Sequence, residues 1–172
     1  MDQRTIWERI GNAVFGVPQI AQWWAKWAAR RTKTGNSIPF VPLRKPLYEC
    51  RAALVTTAGV HLHDQPPFDM RDPDGDASFR TIPGSVDLDD LTITHKYYDH
   101  RDADRDPNIV FPFAHFRDLV RNGVIGELAP RHYGFMGHIE GRHLQHLVRT
   151  TAPDVAAQLR ADGVDFAFLT PA

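Results

Sequence analysis

The stretch that decides the fold runs from Ala52 to Thr57, Ala-Ala-Leu-Val-Thr-Thr, and is followed directly by Ala58 and Gly59. All six of its residues are apolar or β-branched, which is typical of a buried strand. The glycine that follows marks a turn at the carboxyl end of this strand. In open α/β sheets, ligands bind outside the carboxyl ends of the strands, so we expect the chemistry in the residues that come next.

Further elements alternate along the chain after this strand. Short β-forming runs predict three more strands, at 91–94, 109–113 and 164–169. Helical periodicity predicts two helices, at 116–124 and 153–161. This alternation predicts one α/β domain at 48–172, with an open, mostly parallel sheet and covering helices.

The segment 1–47 differs from the rest of the chain. It is predicted to be an N-terminal Trp-rich helix followed by a proline-containing connector. The apolar face of this helix is formed by Ile20, Trp23, Trp24 and Trp27. So large an apolar face is unusual on a lone domain, so we expect it to pack on the core or on a partner, and we expect a homo-oligomer.

Composition narrows the classes of function. The net charge is −1 over 172 residues, which gives no reason to expect a nucleic-acid partner. No apolar run approaches the roughly 20 residues of a membrane span, and the N-terminus does not resemble a signal peptide. Cys50 is the single cysteine, so no internal disulfide can form. We therefore expect a cytoplasmic protein.

Six strings taken together resemble a known family. They are 53–60 (ALVTTAGV), 75–83 (GDASFRTIP), 94–95 (TH), 106–112 (DPNIVFP), 123–127 (GVIGE), and 163–165 (GVD) with 169–171 (LTP). Their order and spacing are similar to those of the selenoprotein B family of glycine, sarcosine, betaine and D-proline reductases. The resemblance covers roughly residues 48–172 and implies an oxidoreductase that uses dithiol/disulfide chemistry on a small amino-acid-like substrate.

The thiols are the point where this sequence departs from the family. The resemblance implies a pair of cysteines, or selenocysteine and cysteine, that are separated by two residues and directly follow the last strand. The sequence in hand ends there, at Ala172, and its one thiol, Cys50, precedes the first strand. Reductive cleavage needs a thiolate or selenolate nucleophile and a resolving thiol. We therefore expect the thiols to come from a further segment or from a Cys- or selenocysteine-containing partner subunit.

Five polar residues are candidate ligands for a small-molecule substrate. Arg80 suits a bidentate contact with a carboxylate, and Asp76 can orient it or bind an amine. Ser78 lies in the same long loop, 61–90, which we expect to fold over the carboxyl ends of the strands. Thr57 ends the first strand, and Asn108 lies in a turn. A purely structural turn is the alternative for the loop residues and for Asn108.

Histidines supply the candidate acid–base groups. His61, His95 and His132 are predicted to be catalytic, because imidazole titrates near neutrality. His61 and His63 share a face if the strand continues, and with a third ligand they can bind a transition metal. The sequence requires no cofactor, and ordinary core or surface histidines are the alternative.

Three functions stay open from sequence. The first is a reductase subunit that binds substrate while its redox thiols lie elsewhere. The second is a histidine- or metal-dependent enzyme on the same scaffold. The third is a non-catalytic assembly subunit.

Overall fold

A computed structural model describes residues 41–171 of the chain. The predicted Trp-rich helix and most of its connector lie outside the described residues, so that prediction and the boundary at residue 47 stay predictions. The fold class is confirmed in its main feature, because the described part is α/β with a mixed, mostly parallel sheet.

Within the described part, seven strands form two sheets. They are β1 (Arg51–Thr56), β2 (Val60–Leu62), β3 (Phe79–Pro83), β4 (Leu91–Ile93), β5 (Glu127–Leu128), β6 (Arg131–Phe135) and β7 (Phe166–Thr170). β1 is central: β7 runs parallel along one edge, and β5 and β6 run parallel along the other. β3 is antiparallel to β6 and closes that side of the larger sheet. β2 and β4 form a separate antiparallel pair.

Helices cover the sheet. They are α1 (Phe113–Arg121), α2 (Gly141–His146) and α3 (Ala152–Ala161). A π-helical turn, Leu147–Thr151, joins α2 to α3, and single 3₁₀ turns occur at Leu47–Glu49, Leu88–Asp90 and Pro107–Ile109. Over residues 41–171, no helix has the length and apolar character needed to cross a membrane.

The alternation along β1 separates two apolar layers. Ala52 and Leu54, both wholly buried, belong to a core that includes residues of α1 and of the β2–β4 pair. Val55 points the other way and packs in a smaller cluster with Val155 of α3. Because side chains of a strand alternate between faces, the sheet lies between these two layers.

The β2–β4 pair lies very close to the larger sheet at one point. A Cβ atom on Gly134 of β6 would overlap the backbone carbonyl oxygen of Val60 in β2. Only glycine allows this approach of one backbone to another. This contact positions β4, and with it the residues that follow β4, over the end of β1.

Two of the predicted elements need correction. The run 109–113 is not a strand: a 3₁₀ turn at Pro107–Ile109 leads into α1, which begins at Phe113. The region 61–90 is not one loop, because it contains most of β2 and all of β3. Both strands are short and lack a clear alternating pattern, so the sequence alone carried little signal for them.

Candidate functional site

Three strands end at one edge of the sheet and are joined there by backbone hydrogen bonds. The N–H of Thr57, just after β1, donates to Thr170 O at the end of β7 (3.0 Å). The N–H of Gly59 donates to Phe135 O at the end of β6 (2.8 Å). The carboxyl ends of β1, β6 and β7 therefore meet at the edge where ligands bind in open α/β sheets.

His95 lies at this edge, in contact with the chain that follows β6. It follows β4, which is held to the turn after β1 by a hydrogen bond from Thr94 N–H to Gly59 O (2.9 Å). The side chain is only 9% exposed. Its ring packs edge-to-face on the ring of Tyr98 at 4.7 Å. We call Thr57, His95, Tyr97, Tyr98 and Gly137 the His95 cluster.

Two backbone N–H groups point at the His95 ring. The N–H of Tyr97 lies 3.1 Å from Nδ1, and the N–H of Gly137 lies 3.2 Å from Nε2. A Cβ on Gly137 would lie 2.8 Å from Thr57 O and 3.0 Å from His95 Nε2. The position therefore requires glycine, which lets the chain after β6 pass close to both groups.

Burial controls the charge of the cluster. Desolvation lowers the pKa of His95 to about 4, and the neighbouring His100 and His138 act in the same direction. Burial also raises the pKa of Tyr98, whose hydroxyl donates to Ala58 O at 3.0 Å. At neutral pH both side chains are therefore uncharged, and neither contributes a charge to the cluster.

His61 lies beside the cluster but has its ring nitrogens engaged. Nδ1 is 2.7 Å from Leu62 O, and Nε2 is 2.8 Å from the hydroxyl of Thr94. His63 is exposed. In the described ranges, no group of three His, Cys, Asp or Glu side chains is arranged to hold a metal ion. Metal binding by His61 and His63 therefore stays a prediction, and the described residues offer no third ligand for it.

Asp76, Ser78 and Arg80 satisfy one another. The Asp76 carboxylate accepts from the N–H of Asp69 and from the backbone and hydroxyl of Ser78. Arg80 donates to Ser78 Oγ and to the carbonyl oxygens of Pro66, Pro67 and Phe79.

The guanidinium of Arg80 also stacks over the Phe68 ring at 4.4 Å. Four of its five N–H donors are therefore used within the loop. This geometry favours the structural alternative, a loop tied by its own polar groups. Substrate binding by these three residues stays a prediction.

The loop between β2 and β3, residues 63–78, approaches the carboxyl edge of β6. Asp74 O accepts from the N–H of Glu140 (2.8 Å), and Pro73 O lies 2.8 Å from His138 Nε2. Both partners belong to the segment that follows β6. The loop is therefore anchored at that edge by the part around Asp74, while Arg80 itself lies in β3, opposite Gly134.

Asn108 has a local structural role. Its side-chain nitrogen donates to the Asp106 carboxylate (2.9 Å), and its oxygen accepts from the N–H of Ala114 (2.9 Å) in the first turn of α1. Pro112, which precedes the helix, offers no side-chain cap. Asn108 thus satisfies one of the free donors at the start of α1, and its substrate contact stays a prediction.

His132 lies in the core rather than at the carboxyl edge. It is fully buried, its Nδ1 accepts from Leu54 N–H at 3.0 Å, and the ring of Phe113 packs edge-on at 5.1 Å. Desolvation lowers its pKa to about 4. Within the part of the chain that the structure describes, its Nε2 has no hydrogen-bond partner. The ring is thus enclosed by the core in this structure, and its acid–base role stays a prediction.

The sequence singled out Thr57 and His95 separately, and the structure brings them together with neighbours that the sequence reasoning missed. Tyr97, Tyr98 and Gly137 complete the cluster, and the Tyr97 ring packs at a tilt against the His138 ring, with centroids 4.2 Å apart. Two adjacent tyrosines directly after a strand and a histidine were a usable signal. Gly137 contributes through its backbone, which leaves no side-chain signature.

The single thiol lies at the opposite end of β1. Cys50 directly precedes β1 and is fully buried, with its Sγ 3.3 Å from Pro46 O. Thr57 directly follows β1. At about 3.3 Å per residue, the strand separates the two ends by roughly 20 Å. Cys50 therefore cannot act on a ligand bound at the His95 cluster.

Comparison with known proteins identifies a family and two relatives that this chain resembles. A family model described as glycine/sarcosine/betaine reductase selenoprotein B matches residues 32–172. The D-proline reductase subunit gamma of Acetoanaerobium sticklandii is 39% identical over 131 residues, which are 76% of this chain and 52% of that protein.

The sarcosine reductase complex component B subunit beta of Peptoclostridium acidaminophilum is 37% identical over 96 residues, which are 55% of this chain and 22% of that protein. The chain thus spans about half the length of the first relative and about a fifth of the second. No solved structure matches it.

Proposed function

Because the chain belongs to the glycine/sarcosine/betaine reductase selenoprotein B family, we propose that it is a subunit of an amino-acid or betaine reductase-type complex. Its role is to bind a small amino-acid-like substrate at the His95 cluster. The redox thiols come from a Cys- or selenocysteine-containing polypeptide that assembles with it. The observation that carries this proposal is the separation of the cluster from Cys50, which lies at the other end of β1.

The chemistry of the cluster supports an amino-acid-like ligand. Backbone N–H groups of Tyr97 and Gly137 can donate to a carboxylate. Tyr97 and Tyr98 present aromatic rings, and Tyr97 is 49% exposed at the rim of the cluster. Aromatic rings attract ammonium and quaternary ammonium groups. A carboxylate and a nearby cationic nitrogen are the two ends of glycine, proline and betaine.

Activity is expected only in the assembled complex. The chain alone, with dithiothreitol and glycine, betaine or D-proline, is expected to give no reductive cleavage, because no thiol reaches the cluster. Activity is expected when a polypeptide carrying Cys-x-x-Cys or selenocysteine-x-x-Cys is added, and it is expected to survive Cys50→Ser. Product formation by the chain alone, lost in Cys50→Ser, would show that the thiol has been misplaced.

A second candidate function is that of an assembly subunit. It is supported by β7, which lies at an edge of the described sheet, where it can pair with a strand of another polypeptide. Among residues 41–171, β7 pairs with β1 alone. Its residues Phe168 and Leu169 are 42% and 69% exposed, and its sequence, FAFLT, contains no charge or proline. Edge strands usually carry such groups to prevent pairing. We infer that a β-strand of the thiol-bearing polypeptide pairs with β7, because unpaired backbone donors and acceptors require a strand.

A charge on this edge is expected to weaken assembly. Leu169→Lys is expected to weaken the complex with the thiol-bearing polypeptide by about tenfold or more, since a charge on an edge strand opposes its pairing with another strand. Leu144→Lys, at a 49% exposed position on α2, is the matched control and is expected to bind as the original chain does. Analytical ultracentrifugation measures both. Equal weakening by the two variants, or self-association of the chain through β7, would contradict the inferred partner.

A further inference from the structure

The His95 ring faces more donors than it can accept. Both of its nitrogens lie in hydrogen-bonding geometry to backbone N–H groups, Nδ1 to Tyr97 at 3.1 Å and Nε2 to Gly137 at 3.2 Å. A neutral imidazole has one acceptor nitrogen and one N–H, and a protonated imidazole has two N–H groups and no acceptor. At most one of the two contacts is therefore a hydrogen bond, and at the other an N–H group faces an N–H group.

Neither tautomer resolves this conflict. If Nδ1 accepts from the N–H of Tyr97, the ring proton is on Nε2 and faces the N–H of Gly137. In the opposite tautomer the ring proton is on Nδ1 and faces the N–H of Tyr97. Among the described residues, neither ring nitrogen has a carbonyl or carboxylate partner. Because the side chain is only 9% exposed, water supplies little compensation. An unpaired donor in such a site is costly, so the arrangement favours replacement of the ring by a better acceptor.

The donors define what that acceptor must be. The group that satisfies both N–H groups needs two acceptor atoms in the 1,3 relation of the two ring nitrogens, with no proton on either. An ionised carboxylate has two such oxygens and no donor. A carboxamide has only one acceptor atom, and a phosphate-sized anion is larger than the planar ring it would replace. The geometry thus selects a small carboxylate.

We propose that the N–H groups of Tyr97 and Gly137 form the carboxylate-binding site of this chain, and that His95 occupies this site until a substrate carboxylate displaces its ring. His95 is then a positioning residue that holds the two donors apart and in plane in the absence of ligand. That the carboxylate belongs to a substrate rests on the proposed function. The two-donor geometry itself does not depend on it.

The surroundings allow the exchange. Gly137 has no side chain, and a Cβ there would crowd both Thr57 O and the ring. Tyr97, at the rim, is 49% exposed, so a ligand entering past it needs no path through the core. The ring of Tyr97, on the same rim, can contact the cationic end of an amino acid or betaine whose carboxylate has replaced His95.

Acetate is the probe for this site. The full ¹⁵N-labelled chain is titrated with sodium acetate at constant ionic strength, and the amide resonances of Gly137 and Tyr97 are followed together with the ring nitrogens of His95. Both amide protons are expected to shift downfield as they donate to the carboxylate. Because a ligand that must displace a resident group binds more weakly, His95→Ala is expected to bind acetate about tenfold or more tightly than the original chain. His146→Ala, an exposed histidine on α2, is expected to leave the affinity unchanged.

Acetamide supplies the matched ligand control, since it offers one acceptor atom in place of two, and it is expected to shift these amides at least about tenfold less readily than acetate. Absence of an acetate-dependent shift at both amides in the original chain overturns the site, whether or not His95→Ala folds. Equal acetate affinity in the original chain and in His95→Ala overturns the displacement. Equal response to acetate and acetamide overturns the two-acceptor requirement.

The outcome also separates this inference from the proposed function. Reductase activity of the reconstituted complex without acetate binding at the two amides would overturn the inference alone. Acetate binding at these amides, with no activity in any reconstituted complex, would overturn the proposed function alone.

Discussion

The free energy of unfolding is expected to fall by about 2 kcal/mol for each of His95 and His132 when the pH is lowered from 7 to 5. Burial lowers the pKa of each to about 4, whereas in the unfolded chain a histidine titrates near 6.5. Below pH 6.5 the unfolded chain therefore binds protons that the folded chain does not bind. The stability is fully present above pH 6.5 and is lost progressively as the pH falls toward 4. His61, whose pKa burial also lowers, acts in the same direction.

His132→Asn tests this pH dependence at one site. The asparagine oxygen can still accept from Leu54 N–H, as Nδ1 of His132 does, but the side chain no longer titrates. Urea unfolding at several pH values between 7 and 5 gives the slope of the unfolding free energy against pH. In the variant this slope is expected to be smaller by up to about 1.4 kcal/mol per pH unit. His146→Asn, at an exposed position, is the control and is expected to keep the original slope. A stability that does not change between pH 7 and 5 in the original chain would contradict the buried, neutral state of both rings.

Gly134→Ala is expected to destabilise the protein by about 3 kcal/mol or to prevent its folding. The new methyl group would overlap the Val60 carbonyl oxygen, which is backbone and cannot rotate away. The β2–β4 pair would have to move off the sheet. Since β4 positions His95, the same variant is expected to disturb the amide resonances of the His95 cluster.

Gly123→Ala is the matched control for this substitution. Gly123 follows α1 with φ near +69°, and a Cβ there meets no atom of residues 41–171 within 4 Å. The cost is then confined to the left-handed backbone conformation, about 1 kcal/mol. Urea unfolding of both variants measures the difference. A loss in Gly134→Ala no greater than that in Gly123→Ala would show that β2 does not lie against β6 as closely as described.

The elements that the sequence predicted well are those with a strong local pattern. β1 has a continuous apolar run ended by glycine, and it is the central strand. The helices at 113–121 and 152–161 and the last strand, β7, were predicted within a few residues. The family was also predicted correctly, because six short strings in order carry more information than any one of them.

The elements that failed have signals that depend on distant partners. Val110 and Phe111 are buried, which produced a strand-like apolar run, yet Pro107 and the cap from Asn108 turn the chain into a helix start instead. β3 pairs with β6, some 50 residues later in the chain. Nothing in five residues, FRTIP, specifies that pairing.

The candidate site shows the same division. The sequence by itself determined the family, the central strand with Thr57 at its carboxyl end, and the presence of one thiol placed before that strand. Only the tertiary structure decided that His95, rather than His132, reaches the carboxyl edge, that Arg80 is held by its own loop, and that two backbone N–H groups converge on one imidazole. The physical reason is that local periodicity records which face of an element is buried. Which atoms meet across that face depends on strand pairings and on the close approach at Gly134, both between residues far apart in the chain.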